Sequence, residues 1–490
     1  MGKSRLGPGE FVIHALRALA RVSLARALAA PLALFPCLAL TPARAAAQRP
    51  DISHVIDAYI EPYVKSNNFS GQLLVLRGNT VLYQRELGWA DRDAKVPMTR
   101  DTQLHIASIS MQFTAAAIMR LVDQRTLSLD TRVSDVVQGV RGGELITIRN
   151  LLEQRSGLSD INARADYAEI LQQHQTPATL VAVISGDSLL FPPGSRYLHE
   201  EHSAYNLLAL IIEKKTGLPF ARAMQRLVFQ PAGLRHTVAD DDGDTPSPKV
   251  AARGYEPQGV YGLIAATPIH WSAKSGNASV RSTASDEARW VQQLFHGHFL
   301  SDASRSAIVD SSGVPAGYGW FRRSNKRFDE RSYSMSGRSP GFASYVMYLP
   351  REDVTVVALS NIYSSATADI GNDIAAIALG LPYAPIALDA RPLPPEMLAL
   401  DGARFTFPSD FYQPNATVAL TQSGGEMFVA WPSGDRTPIV PLDGDHAIDR
   451  AYWEPISIVR DSAGRATAMT YDRFRGERAT VNEADSPRPR

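Results

Sequence analysis

Two short stretches hold residues whose types and spacing could do chemistry. The first is Ser108, at the end of His105-Ile106-Ala107-Ser108, where an amphipathic helix opens with Phe113, Ala117, Leu121 and Val122 at helical spacing. A hydroxyl there lies in the positive end of the helix dipole, beside N–H groups that have no partner within the helix. That placement suits a nucleophile whose reaction develops negative charge, although serine is also an ordinary helix cap. The second stretch is His199-Glu200-Glu201-His202, which offers imidazoles to act as a base and carboxylates to orient them. Its spacing is not the His-Glu-x-x-His of a helical zinc site, so the sequence calls for no metal.

The segment 105–130 resembles the Ser-x-x-Lys helix of the serine β-lactamase and penicillin-binding-protein superfamily, in its class C-like and esterase-like branch. Further landmarks in the same order support the resemblance: ITIRNLL at 146–152, SGL at 156–158, PGS at 193–195, VFQPAGLRHT at 228–237, GNASVRSTASD at 276–286 and SPGF at 339–342. It covers roughly Asp51 to Asn361 and implies Ser108 as the acylated nucleophile. It also implies a lysine three residues on, a tyrosine shuttling protons after the Pro-Gly-Ser lead, and a lysine or histidine ahead of the Pro340-Gly341 turn. Here the lysine position is Met111 and the later cation position is Met335. The tyrosine position falls on His199 counted forward from Pro193-Gly194, or on Glu200 counted back from Tyr205-Asn206, because the loop is one residue longer than the usual pattern. The neighbouring asparagine position becomes Glu201 or His202, and Tyr197 matches the aromatic that packs before the motif. The oxyanion donors implied are the backbone N–H groups of Ser108 and Arg338, which survive side-chain substitution. A thioether neither accepts a proton nor carries charge, so the nucleophile remains without its usual base, and two methionines facing Ser108 would desolvate the pocket.

These residues need a scaffold. The resemblance implies an α/β (α+β) fold, with a central antiparallel sheet flanked by helices plus a helical subdomain. The sequence agrees: a helix over 51–66, a hairpin about Gly78-Asn79, a periodic helix from Tyr205 to Lys215 closed by Gly217, β-rich runs between Arg331 and Asn361, and a helix from Ala366 to Leu379. Residues 238–275 read as a long surface loop. Five prolines between Pro382 and Pro395 mark a linker, and from Ala403 short alternating runs predict a small all-β domain resembling the lipocalin-like barrel that often follows this family. The organisation expected is a signal peptide over 1–47, a hydrolase-like domain over 48–380, a linker over 381–402 and a β-barrel over 403–490.

Hydrophobic residues make up 44% of the 490-residue chain and charged ones 20%, as in globular proteins. The zero formal charge conceals six basic residues and one acidic residue in 1–47, which leaves 44 basic against 49 acidic beyond them. Nothing in this balance suggests nucleic acid. Arg17, Arg21 and Arg26 precede the apolar run Ala27–Leu40, followed by Ala43-Arg44-Ala45 and Ala45-Ala46-Ala47, the pattern of a secretory leader. The only cysteine, Cys37, lies within it, so the mature chain would hold no disulfide.

The expectation is a periplasmic or secreted protein with no stable membrane span after cleavage, no cofactor, and a small-molecule or peptide ligand in the cleft. Its first functional reading is a pseudoenzyme or very weak enzyme. The alternative is an active serine esterase or peptidase in which His199 or His202 activates Ser108 and Glu200 or Glu201 orients the imidazole. Mass spectrometry of the exported protein should place its N-terminus near Ala46 or Gln48; a chain retaining residues 1–40 would contradict cleavage.

Overall fold

The computed structural model describes residues 51–199, 201–240, 250–309, 316–325, 327–328, 330–386, 388 and 392–479. The expected leader and Glu200 lie outside the described residues. Seven antiparallel strands form the central sheet, in the order Ala316–Gly317, Trp320–Asn325, Glu330–Ser339, Phe342–Leu349, Val354–Ser360, Gly71–Arg77 and Thr80–Leu87. The first hairpin of the domain therefore pairs with its last strand, with Gly71 opposite Ser360 and Arg77 opposite Val354. Phe342–Leu349 and Val354–Ser360 are buried along their whole length, so both faces of the sheet must be covered.

Side-chain alternation sorts these strands onto two cores. Leu74, Val346, Tyr348, Val357 and Leu359 face one core, with the helices Ser110–Asp123, His202–Thr216 and Ala284–Phe295. Leu73, Val75, Met347, Val356 and Ala358 face the other, under Ser53–Lys65 and Ala366–Leu379. The expected 238–275 loop holds more structure than its composition indicates, including the hairpin Tyr255–Gln258 with Gly262–Ala265; residues 241–249 within it lie outside the described residues. No helix among the described residues is long and apolar enough to cross a membrane.

Beyond the linker region, eight antiparallel strands close into a barrel, as the alternating runs predict. Arg404–Thr406 closes it by pairing with both Thr417–Ser423 and Phe474–Arg478. Phe405, Met427, Val429, Met469 and Tyr471 fill its interior. One barrel turn enters the main body. The buried Asp449 carboxylate accepts from the N–H groups of Ala451 and Tyr452 and from the hydroxyls of Thr437 and Tyr471, which fixes the turn. Arg450 then extends into the seam fully buried, donating to Asn68 Oδ1 (2.9 Å), Gly259 O (2.6 Å), Gly262 O (2.7 Å) and Asn67 O (3.0 Å). Trp453 joins the second core.

Arg450→Met would leave two buried acceptors, Asn68 Oδ1 and Gly259 O, and two at the rim of the seam, Gly262 O and Asn67 O, without their donor. At about 1–3 kcal/mol for each of the two buried groups left unsatisfied, it should lower stability by at least ~2 kcal/mol, read as a reduced urea midpoint for the full chain. A midpoint equal to the native one would show that the seam contributes nothing.

Three carboxyls raised by burial predict how stability depends on pH. Burial pushes Glu287 up to about 8 and Glu201 and Glu454 to about 7. Glu287 is fully buried on the Ala284–Phe295 helix, and the Ser282 hydroxyl beside it offsets only part of that burial. Groups raised in the fold bind more protons folded than unfolded, so stability should fall as pH rises from about 5 to about 8. Glu287→Gln should flatten part of that slope in urea titrations at several pH values; an unaltered slope would contradict a neutral Glu287.

Candidate active site

Ser108 sits in a tight turn, Ala107–Ile109, immediately before the Ser110–Asp123 helix. Ala107 adopts a left-handed conformation, with φ of 49°. Ser108 is therefore not the helix cap, and the Ile109 at that position makes no side-chain capping bond. Ser110 instead accepts the Val280 N–H on its hydroxyl at 3.1 Å. The turn is fastened on two more sides: the Ile106 N–H donates to Val280 O at 3.0 Å, and Ser344 Oγ donates to Ile106 O at 2.6 Å. Gly337 presses against it from the sheet. A Cβ there would stand 2.6 Å from the Ser108 nitrogen and 2.9 Å from Ile106 O.

The sheet also orients the second backbone donor. Glu330–Ser339 pairs with Phe342–Leu349 as far as Ser339 opposite Phe342, whereas its other neighbour, Trp320–Asn325, covers only Glu330–Ser334. Met335–Ser339 thus have a bare edge beside the Ser108 turn. Across a two-residue hairpin, Ser339 and Phe342 exchange both hydrogen bonds, and antiparallel alternation then points the Arg338 N–H toward that edge. The arrangement is able to stabilise an oxyanion through the N–H groups of Ser108 and Arg338.

Methionines stand where the resemblance implies a lysine and a lysine or histidine. Met111 and Met335 are 1% and 4% exposed, and with Ser108, Gln154, His199 and Phe321 they line a cavity of about 80 Å³. His199, the forward-counted position, is therefore beside Ser108, and its Nδ1 lies 3.1 Å from the Tyr197 hydroxyl. Glu200, the backward-counted position, lies outside the described residues.

Glu201 does not orient a histidine, contrary to the expectation of an acid within the loop. It is fully buried and accepts from Ser156 Oγ at 2.8 Å, Ser156 N at 3.2 Å and Gly157 N at 2.9 Å, which ties the loop to the 156–158 segment. His202 opens the His202–Thr216 helix, which starts three residues before its periodic part. It lines a wider cleft of about 310 Å³ together with Ser108, Asn162, Arg338 and Tyr363. Both Asp160 oxygens lie 3.2 Å from its Nδ1. The acid that orients this imidazole is thus Asp160, from a loop 42 residues upstream. Among the described residues no hydrogen bond joins Ser108 Oγ to either imidazole. Spacing could not have found Asp160, because nothing local links it to the loop.

A mixed domain with a nucleophile-position serine at a helix start, facing the Gly337 strand across a cleft, has the architecture of the β-lactamase and penicillin-binding-protein class. Residues 56–380 match the Beta-lactamase family, and the chain belongs to it. Penicillin-binding protein 4* of Bacillus subtilis (strain 168) is 26% identical over 329 residues, which cover 62% of this chain and 71% of that protein. The octameric penicillin-binding protein homologue from Pyrococcus abyssi superposes with a TM-score of 0.59 at 20% identity, over 86% of this chain and 99% of its own. D-amino acid amidase from Ochrobactrum anthropi SV3, solved with L-phenylalanine amide, gives 0.58 at 21% identity over 67% and 97%.

Gly337→Ala should displace the Ser108 turn, because the added Cβ meets backbone rather than a flexible side chain. The variant should melt below the native chain and lose whatever ligand binding the cleft has. A variant indistinguishable from native in both respects would show that the turn is not held by this contact.

Proposed function

We propose that this chain is an exported, periplasmic or secreted, ligand-binding member of the family: a pseudoenzyme, or a very weak enzyme, with respect to acyl transfer on Ser108. The observation that carries this reading is the pair of buried methionines against Ser108. The family's base position and its later cation position are both occupied by side chains that cannot hold a proton, and among the described residues no hydrogen bond joins Ser108 Oγ to His199, the imidazole that lines the same cavity. General base catalysis contributes about 10²–10⁴ in rate, so its loss leaves backbone stabilisation without a way to generate the nucleophile. The two N–H donors and the open cleft support binding of a carbonyl compound. The amidase solved with L-phenylalanine amide supports small amino-acid derivatives as the ligand class.

One observation favours a second reading, a slow hydrolase. His202 shares the cleft with Ser108, and Asp160 holds its Nδ1, the arrangement in which the second ring nitrogen can take a proton.

Hydrolysis of a small activated ester separates the two. Under the first reading the native rate equals that of Ser108→Ala. Met111→Lys alone recovers little, because burial among apolar neighbours lowers a lysine pKa and no relay stands beside it. Met111→Lys combined with His199→Tyr and Met335→His should raise the rate by more than the separate gains together, since groups acting as a unit are not additive. A native rate abolished by both Ser108→Ala and His202→Ala would sink the pseudoenzyme reading and establish the Asp160–His202 pair.

A further inference from the structure

Arg338 contributes more to the cleft than its backbone. Its guanidinium is close to two tyrosine rings, 5.1 Å from the centroid of Tyr363 and 4.8 Å from that of Tyr452. Tyr452 belongs to the barrel, on the turn whose Asp449 carboxylate holds the Ala451 and Tyr452 N–H groups. The same turn takes one guanidinium proton: Arg338 Nη1 donates to Ala451 O at 3.3 Å. It is fastened to the cleft rim by Ser364 Oγ, which donates to Arg450 O at 3.0 Å, and by the Ser365 N–H, which donates to Ala451 O at 3.0 Å. The barrel therefore supplies part of the wall that immobilises Arg338.

Among the described residues no carboxylate stands within ion-pair distance of Arg338. Glu454 is near enough to feel the charge, but burial and the neighbouring Asp472, Asp369 and Asp449 push its carboxyl up to about 7. Arg338 is half-buried and lines the 310 Å³ cleft with Ser108 and His202. A guanidinium carries five N–H donors in one plane. With two tyrosine rings close to it and one donor engaged on Ala451, the group keeps further donors in its plane for a ligand. This fork geometry matches a carboxylate better than it matches a neutral amide.

We propose that Arg338 is a specificity residue that binds a carboxylate of the molecule occupying the Ser108 cleft, and that the barrel, through Tyr452 and Ala451, is its positioning element. This rests on the reading of the cleft as a ligand site, and it adds that the ligand is an anionic acyl compound rather than a neutral one. Packing alone would account for a cation close to two rings, and it predicts no preference among ligands. Carboxylate binding predicts a preference set by charge.

The test uses the full chain and two probes of one shape, hippurate, with a free carboxylate, and hippuramide, its neutral amide, measured by titration calorimetry. Native protein should bind hippurate about tenfold or more tightly than hippuramide, the factor expected when a charge-assisted bond is kept or lost. Arg338→Gln keeps the backbone donor and should bind the two probes alike, whereas Arg338→Lys should retain part of the preference. Tyr452→Ala should weaken the preference and Tyr452→Phe, which keeps the ring, should preserve it; melting curves on each variant establish that it is folded. Equal native affinities, or a preference that survives Arg338→Gln, would overturn this proposal while leaving the cleft as a ligand site. Binding of neither probe at millimolar concentration would overturn both.

Discussion

The contact between Gly337 and the Ser108 turn is the constraint on which the site depends. Backbone meets backbone there with no room for a Cβ, so the strand and the nucleophile turn are locked at a fixed separation. Val280 and Ser344 hold the same turn from two other directions. None of these contacts uses the side chains of residues 111 or 335. The consequence is that a site of this kind can lose its proton-transfer groups while its nucleophile and its two backbone donors stay in place. The backbone framework around Ser108 and the side chains at 111 and 335 are separately encoded here.

That separation explains which parts of the molecule could be read along the chain. Ser108, Gly337 and the hairpin at Pro340-Gly341 are local patterns, and the sheet and the Ala366–Leu379 helix followed from apolar periodicity. The eight-stranded barrel was likewise visible as alternating runs from Ala403 onward. The choice between His199 and Glu200 was open because one extra residue in the loop breaks the count; in the fold the insertion leaves His199 beside the methionines and His202 in the wider cleft. Glu201 looked like a partner for histidine, but its carboxylate is taken by Ser156 and Gly157, an arrangement that depends on how the 154–158 segment folds back. Asp160, Arg450 and the pairing of Tyr452 with Arg338 are tertiary facts, carried by residues far apart in sequence, and no periodicity or spacing announces them.

The barrel also changes how the molecule divides. A proline-rich linker suggests two independent modules, yet the turn from Asp449 to Trp453 places a fully buried arginine among main-body carbonyls and a tyrosine against a cleft residue. A buried cation bonded only to neutral acceptors is costly to desolvate, and the four donated hydrogen bonds offset that cost only while both parts are together. The seam thus joins folding of the barrel to the shape of the cleft, so a lesion in the barrel is felt at Arg338.

The central claim is that Ser108 is positioned but not activated. Intact-mass spectrometry of the native chain exposed for minutes to a penicillin-type acylating probe tests it directly. The account predicts an unshifted mass, because neither Met111 nor Met335 can take the proton and among the described residues no hydrogen bond joins the hydroxyl to His199 or His202. A stable adduct of the probe's mass, mapped by peptide digestion to Ser108, would contradict it.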